Sequence, residues 1–504
     1  MASNLLGVDI GTSLIKAVVF DPDGLELAAG ECKVAVASPQ RGWAEQDMDA
    51  VWTGAGEAIR AAVAALAHGA ASIAAVGVTG QGDGAWMIDA VGRPVGPAPL
   101  WSDGRAHDII ERWASEGVLH AAFGTNGTVL WPGSQASLLA WLETFEPERI
   151  ERMATVFCAK DWVRYRLTGE IATDVTDGSI PFMDLATRSY DDAQLERLGL
   201  AHLRDRLPPV LAPHDIAGVV TRAAAEATGL VAGTKVVAGM LDGPASALGV
   251  GAVAAGQAMT ILGTTALVGL VLGEAVFEPE DVGATVCHAP DRRWLRVLGT
   301  MAGTPNLDWY LRTIGRSYGV EAVDLDQSVY GLLEASILAS PPGAGGVVFH
   351  PFLLGERAPF LDPGARGGLF GLTADTTRDD ITRAVYEGVS FAIRHCFDAI
   401  NARVDEVRLS GGGARSGIWS QMLADVTGSV MTVPAGSQFG AQGAAIAAGV
   451  GIGTYGSYEE AVKRCVRVER RYEPDPTSRR VYDERFAVYR DLIGGLRPYW
   501  PRLR

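Results

Sequence analysis

The sequence predicts an α/β chain built from two related domains, and three observations carry that prediction. Strand and helix patterns alternate along its length, a strand-turn-strand device opens each half, and both devices turn on a glycine followed by two hydroxyl residues. The first device is "LLGVDIGTSLIKAVVFD": an apolar strand over 5–10, the turn Gly11-Thr12-Ser13, and a strand over 14–20 that stops at Asp21-Pro22-Asp23-Gly24. A helix is expected near 49–68, then a strand over 73–79, helices near 105–116 and 134–142, and a strand over 235–239. The second device, "AMTILGTTALVGLVLG", turns on Gly263-Thr264-Thr265. Behind it come a helix over 378–401, a strand over 406–410, and helices near 416–427, 441–450 and 477–496. The expected domains are 1–250 and 251–504.

With 504 residues, 48% hydrophobic and 20% charged, the chain can bury a sizeable core. A net charge of -16 without any basic stripe argues against a nucleic-acid partner. It leaves room for a small phosphorylated ligand held by backbone N–H groups and a few local cations. The 5 cysteines are scattered, with no C-x-x-C pair, so neither a disulfide framework nor a zinc site is expected. Asp9 interrupts any signal-type apolar core, and glycine and threonine break up the uncharged run 249–273, so no membrane partner is expected and the expected location is cytoplasmic.

Chemistry concentrates at the turns. Gly11 lets the backbone bend closely enough for its N–H groups to face a phosphate, and the hydroxyls of Thr12 and Ser13 add donors. Lys16 adds a point charge just past the turn, and Asp9, just before it, suits a hydrated Mg²⁺. Gly263, Thr264 and Thr265 repeat the device. The run Gly411-Gly412-Gly413 between a strand and a helix holds more glycine than a plain turn needs, which favours close approach of a flat or phosphorylated ligand. Asp242 ends a strand and opens a helix. It is either a helix cap or an ionised carboxylate that accepts a hydroxyl proton during phosphoryl transfer. No P-loop, G-x-S-x-G elbow or H-E-x-x-H pair occurs.

Two such turns heading two α/β halves resemble the actin-like ATPase and sugar-kinase superfold, in which two actin-like, ribonuclease H-like domains hold nucleotide in the cleft between them. Over essentially its whole length the chain resembles the FGGY carbohydrate kinase family. The resemblance is carried by "GVDIGTS" (7–13), "WSDGRA" (101–106), "KDWVRYRLTGEIATDVTDGS" (160–179), "AGMLDGPASALG" (238–249), "ILGTTA" (261–266), "PFLLGERAPFLDPGARGGLFGL" (351–372), "EGVSFAIRH" (387–395) and "SGGGARSGIWSQMLADVTG" (410–428). It implies ATP and Mg²⁺ as cofactors and Asp242 as the catalytic base. Asp9 with Gly11, Thr12 and Ser13 would form the first phosphate and metal site, to which Asp242 would also contribute. Gly263, Thr264 and Thr265 would form the second phosphate loop, Gly411, Gly412, Gly413 and Ala414 the adenosine site, and Gly303 would stand on the nucleotide side.

For the sugar, Gln81 and Asp83 follow the 73–79 strand, and Trp101, Asp103 and Arg105 add an aromatic face, a carboxylate and a guanidinium that suit a polyhydroxylated ligand. The string Gln81-Gly82-Asp83-Gly84 departs from the xylulokinase-like pattern, in which Met-His follows the glutamine, and looks more like the erythritol kinase branch. The expected function is ATP-dependent phosphorylation of a terminal hydroxyl of a small polyol or ketose, erythritol-like or a pentulose such as xylulose. The alternative is an actin-like nucleotide switch or a sugar sensor without turnover. The expected partner is a small sugar or polyol, with a homodimer among the admissible assemblies.

Overall fold

The computed structural model describes residues 3–503. It divides into two compact units, each discontinuous in sequence. One holds the chain up to Ala255 with Val271–Leu295 and Gln438–Arg467; the other holds Gly256–Leu270, Arg296–Ser437 and the chain from Val468 onward.

The first unit is organised by a mixed sheet with strands in the order Ile216–Val219, Lys235–Val237, Ile73–Gly80, Asn4–Ile10, Leu14–Phe20, Glu26–Lys33. The expected hairpin is present, with Ile10 opposite Ile15, and Asn4–Ile10 runs parallel to Ile73–Gly80. Its central strands carry apolar residues on both faces because both faces are covered. Leu6, Val8, Ile10, Ile15 and Val19 share a core with Val51, Ala55 and Ile59 of the helix Met48–Ala64. Leu5, Val18 and Phe20 face the other way, into a core with Ala441, Ala445 and Ala448. A further cluster, including Trp113, Leu138, Leu139, Phe182 and Leu203, forms a satellite core beside the sheet.

The helix Phe439–Gly451, expected late in the chain, completes this first unit. It lies against the strands backbone to backbone: a methyl group on Gly7 would stand 1.8 Å from the Ala441 carbonyl oxygen, and one on Gly77 2.0 Å from that of Ala444. The helix Asp242–Val250 packs onto it just as closely, since a methyl group on Gly443 would stand 2.0 Å from the Ala245 carbonyl oxygen. Only a helix as poor in bulk as "FGAQGAAIAAGVG" can be approached from two sides at this distance.

The second unit repeats the device. Gln257–Leu262 pairs antiparallel with Ala266–Leu272 and parallel with Glu406–Ser410, and the sheet continues through Val430–Pro434 to Val468–Tyr472. The helix Arg378–Ile400 begins in a reciprocal capping box between Thr377 and Asp380. Its Phe391 packs against Phe486 and Tyr489 of the helix Pro476–Leu496. The loop containing "GERAPFLDPGARG" is braced mainly by hydrogen bonds. Glu356 accepts from the Thr300 hydroxyl at 2.6 Å and from the amides of Met301 and Arg357, each at 2.8 Å.

Candidate active site

Strands end together at one edge of the first unit's sheet, and their register sets two acids there. Asp9 and Met240 both lie opposite Thr79, and Ile10 and Leu241 both lie opposite Gly80. Asp242 is then the first residue of the helix Asp242–Val250, whose N-cap position is Leu241 and makes no side-chain cap bond. Thr176 Oγ1 accepts from the Leu241 amide at 2.8 Å, which pins the strand end from which the carboxylate projects. Burial by the surrounding protein and the neighbouring Asp9 charge push Asp242 up to about 7, with the Gly243 amide acting the other way. The residue is nevertheless exposed to solvent and is not sealed in the core.

Burial pushes Asp9 up to about 6, opposed by Lys16. Lys16 stands opposite Asp9 in the hairpin, and its ammonium donates to Gln438 Oε1 at 3.0 Å. The Asp9 charge thus adds to the cost of ionising Asp242, which sets the two carboxylates within electrostatic reach of each other.

The turn and the sugar-side residues prove to be one hydrogen-bonded network. The Thr12 hydroxyl donates to Gln81 Oε1 at 2.9 Å and accepts from the Trp101 indole N–H at 3.0 Å. Gln46 joins both, donating to the Thr12 carbonyl at 2.8 Å and accepting from Gln81 Nε2 at 2.9 Å. Thr12, expected as a phosphate donor, therefore spends its hydroxyl inside the protein, while Ser13 is exposed. Asp83 is buried, with a positive φ of 54°, and its Oδ1 accepts from the Gln135 amide at 3.0 Å. Burial pushes it up to about 7.

Asp103 and Arg105, expected to present charge to a sugar, are instead consumed by each other. Both side chains are 0% exposed and bond at 2.8 and 2.9 Å. Asp103 also accepts from the Ala44 amide at 2.7 Å, and Arg105 reaches Glu45 at 2.6 Å. The guanidinium lies over the Trp43 ring at 3.9 Å and within 5.2 Å of Trp141. The pair thus holds the segment that carries Gln46, while the Trp101 ring remains open to solvent at 42% exposure.

In the second unit the predicted nucleotide residues gather around a single turn. The Gly263 amide donates to the Thr265 carbonyl at 3.1 Å, and the Thr304 amide donates to the Gly263 carbonyl at 2.8 Å. A methyl group on Gly303 would stand 2.4 Å from the Thr264 carbonyl oxygen, so only glycine fits beneath the turn. Gly411, at a φ of 85°, is pressed against the carbonyl of Leu262, the residue before the turn, while the space beside Gly412 is open. The helix expected near 416–427 follows the triple glycine as Gly417–Thr427. A short 3₁₀ turn, Gly412–Arg415, intervenes, and Ser416 caps the helix Gly417–Thr427 by accepting from the Trp419 amide at 3.1 Å. Ala414 is buried, with its carbonyl accepting from Arg470 at 2.8 Å.

Residues without a predicted role complete the first unit's site. Lys160 is wholly enclosed and contacts Asp161 at 2.6 Å, Asp174 at 2.9 Å and Asp177 at 3.0 Å. Burial alone would lower its pKa, but the three carboxylates override burial and hold it well above the usual value. Cys158, Asp161 and Asp177 have the spacing of metal ligands, yet the cation there is the Lys160 ammonium. Neither Lys160 nor Gln46 nor Gln438 announces itself locally, because their partners come from other elements of the fold.

Comparison with known proteins identifies the family. The profile of the FGGY family of carbohydrate kinases matches twice, its N-terminal domain over residues 4–249 and its C-terminal domain over residues 258–452. The erythritol kinase of Brucella abortus is 32% identical across 99% of this chain and 97% of its own length. The L-xylulose/3-keto-L-gulonate kinase of Escherichia coli is 32% identical across 100% and 99%. The crystal structure of the xylulose kinase from Rhodospirillum rubrum superimposes with a TM-score of 0.87 at 27% identity, covering 99% of both chains. Among the described residues, no helix is long and apolar enough to cross a membrane.

Proposed function

Because the chain belongs to the FGGY family of carbohydrate kinases and has their actin-like α/β fold, we propose that it transfers the γ-phosphoryl group of ATP to a terminal hydroxyl of a four- or five-carbon polyol or ketose, with Asp242 receiving the hydroxyl proton. One observation carries this reading: an acid projecting from a pinned strand end, at the start of a helix whose N-cap residue makes no side-chain bond, and raised to about 7 by burial and by Asp9. Near neutral pH such a carboxylate can both accept and release a proton. In phosphoryl transfer the orientation of the attacking hydroxyl counts for more than base strength.

Gln81, Asp83 and the exposed face of Trp101 are the proposed acceptor contacts. Asp83 Oδ1 is held by the Gln135 amide, which leaves Oδ2 for an acceptor hydroxyl. Asp103 and Arg105 act behind them, fixing Trp43 to Gln46 in place. Gly11, Ser13, Lys16 and the Gly263–Thr265 turn over Gly303 are the proposed phosphate contacts, with Gly411, Gly412, Gly413 and Ala414 proposed for the adenosine. Asp9 and Asp242 suit Mg²⁺ because they are two carboxylates close enough for the charge of Asp9 to oppose ionisation of Asp242. Mg²⁺ held there would offset charge on the phosphate oxygens.

The test is ADP release with purified protein across erythritol, D-xylulose, L-xylulose, D-ribulose, xylitol and glycerol. Release that depends on and saturates with one of the four- or five-carbon acceptors is expected. Acceptor-independent ATP hydrolysis, or saturable sugar binding without ADP, would replace this reading with a nucleotide switch or a sensor.

A further inference from the structure

A side chain at position 82 and the side chain of Leu241 compete for one space. Gly82 lies between Gln81 and Asp83, and a methyl group on its Cα would stand 2.3 Å from Leu241 Cδ1 and 3.3 Å from Asp177 Oδ1. Leu241 Cδ1 is the end of a side chain that can turn, but its backbone is fixed and its surroundings are filled. Leu241 is buried, paired with Gly80, and bonded through its amide to Thr176. Asp177 is held by Lys160 at 3.0 Å. Leu241 also directly precedes Asp242, so a shift of its backbone is felt at the acid.

We propose that Gly82 and Leu241 are a specificity-determining pair: by sharing one volume they set the shape of the acceptor pocket beside Gln81 and Asp83 and hold Asp242 at its working angle. This inference rests on the reading of Asp242 as base and of Gln81 and Asp83 as acceptor contacts. Bulk added at 82 pushes Leu241 and tilts the acid. Bulk removed at 241 opens room next to Gln81 for a longer acceptor. Trading bulk across the pair restores the filled volume while moving the wall.

A double-mutant cycle with Gly82→Ala and Leu241→Ala tests this, read as kcat, KM and the ratio of kcat/KM between a four-carbon and a five-carbon acceptor. If the unaltered protein phosphorylates no acceptor, the underlying functional reading fails, and the pair is left without a pocket to shape. With an active parent, Gly82→Ala should lower kcat by about tenfold to a hundredfold, the cost of an ångström-scale misplacement. Leu241→Ala should shift the acceptor ratio toward the longer substrate by about tenfold, the low end of the range expected for a methylene-sized change in a pocket. The double variant should recover most of the kcat lost in Gly82→Ala and keep the shifted ratio. A purely structural role would lower the melting temperature but leave the ratio unchanged, because the folded fraction cancels from it. Additive losses in the cycle overturn the proposal. Should Gly82→Ala fail to fold, an unchanged ratio in Leu241→Ala overturns it alone.

Discussion

The Trp101 indole N–H donates to the Thr12 hydroxyl at 3.0 Å, and that hydroxyl donates onward to Gln81 at 2.9 Å. Thr12 belongs to the turn whose sequence points to phosphate, while Trp101 and Gln81 belong to stretches that point to a sugar. A single hydroxyl therefore couples the two groups, and a change in one should register in the other.

Trp101→Phe keeps an aromatic face and deletes the donor. The Michaelis constants for acceptor and for ATP should rise together, by about fivefold each, in keeping with the loss of a hydrogen bond worth ~1 kcal/mol. Steady-state kinetics with each substrate varied in turn checks this. A change confined to the acceptor would mean that Thr12 does not join the two groups.

Asp242→Asn removes the proton acceptor and keeps the shape. Turnover should fall by about a thousandfold, as for loss of a positioned acid or base, while nucleotide binding measured by calorimetry stays within a factor of a few. In the native enzyme, kcat/KM should climb with pH toward a plateau above about 7, the value to which burial and Asp9 raise the acid. Near-native turnover in the variant would remove Asp242 from the mechanism.

Asp83 makes a prediction about stability. Its folded-state pKa, about 7 because of burial, lies above the value of about 3.9 for an unfolded aspartate. Between those two pH values the folded chain holds a proton that the unfolded chain has lost, so this group's contribution to stability falls as pH rises and the penalty is complete above about 7. Asp83→Asn carries no such penalty, and its oxygen can still accept from the Gln135 amide. Its melting temperature relative to the parent should therefore increase from pH 5 and level off above about pH 7. A constant difference across that range would show that Asp83 is not held in its neutral form.

Arg105→Met strands a carboxylate. Asp103 would lose both guanidinium bonds while remaining wholly enclosed, a situation that costs about 3–5 kcal/mol. Urea unfolding should report a loss of that size. Asp103→Asn with Arg105→Met together should cost clearly less than Arg105→Met alone, because the buried charge is gone.

The hairpins are readable from sequence because everything that makes them is local. An alternation of apolar residues, a glycine and two hydroxyls fix a turn within three positions, and the strand expected over 14–20 is the one found at Leu14–Phe20. Helix limits set by caps are equally local, as at Thr377 and Ser416. The side-chain network is not local. Gln46 meets Thr12 from 34 positions away, and Gln438 meets Lys16 from 422. Neither glutamine stands out by type or neighbours. Asp103 and Arg105 mislead for a related reason: their spacing shows two charges near an aromatic residue but not that Trp43 and Trp141 arrive from other elements to enclose the guanidinium. The role of Ala- and Gly-rich 439–451 is hidden in the same way, since a small-residue helix looks alike whatever it covers.

That helix also imposes an order of events on the growing polypeptide. The sheet face around Gly7 and Gly77 receives its cover only when Phe439–Gly451 has emerged from the ribosome. At translation speeds of about 5–20 residues per second, roughly ten to forty seconds separate the last strand of that sheet from its lid. For that interval the apolar face around Gly7 and Gly77 lacks the helix that covers it in the finished fold.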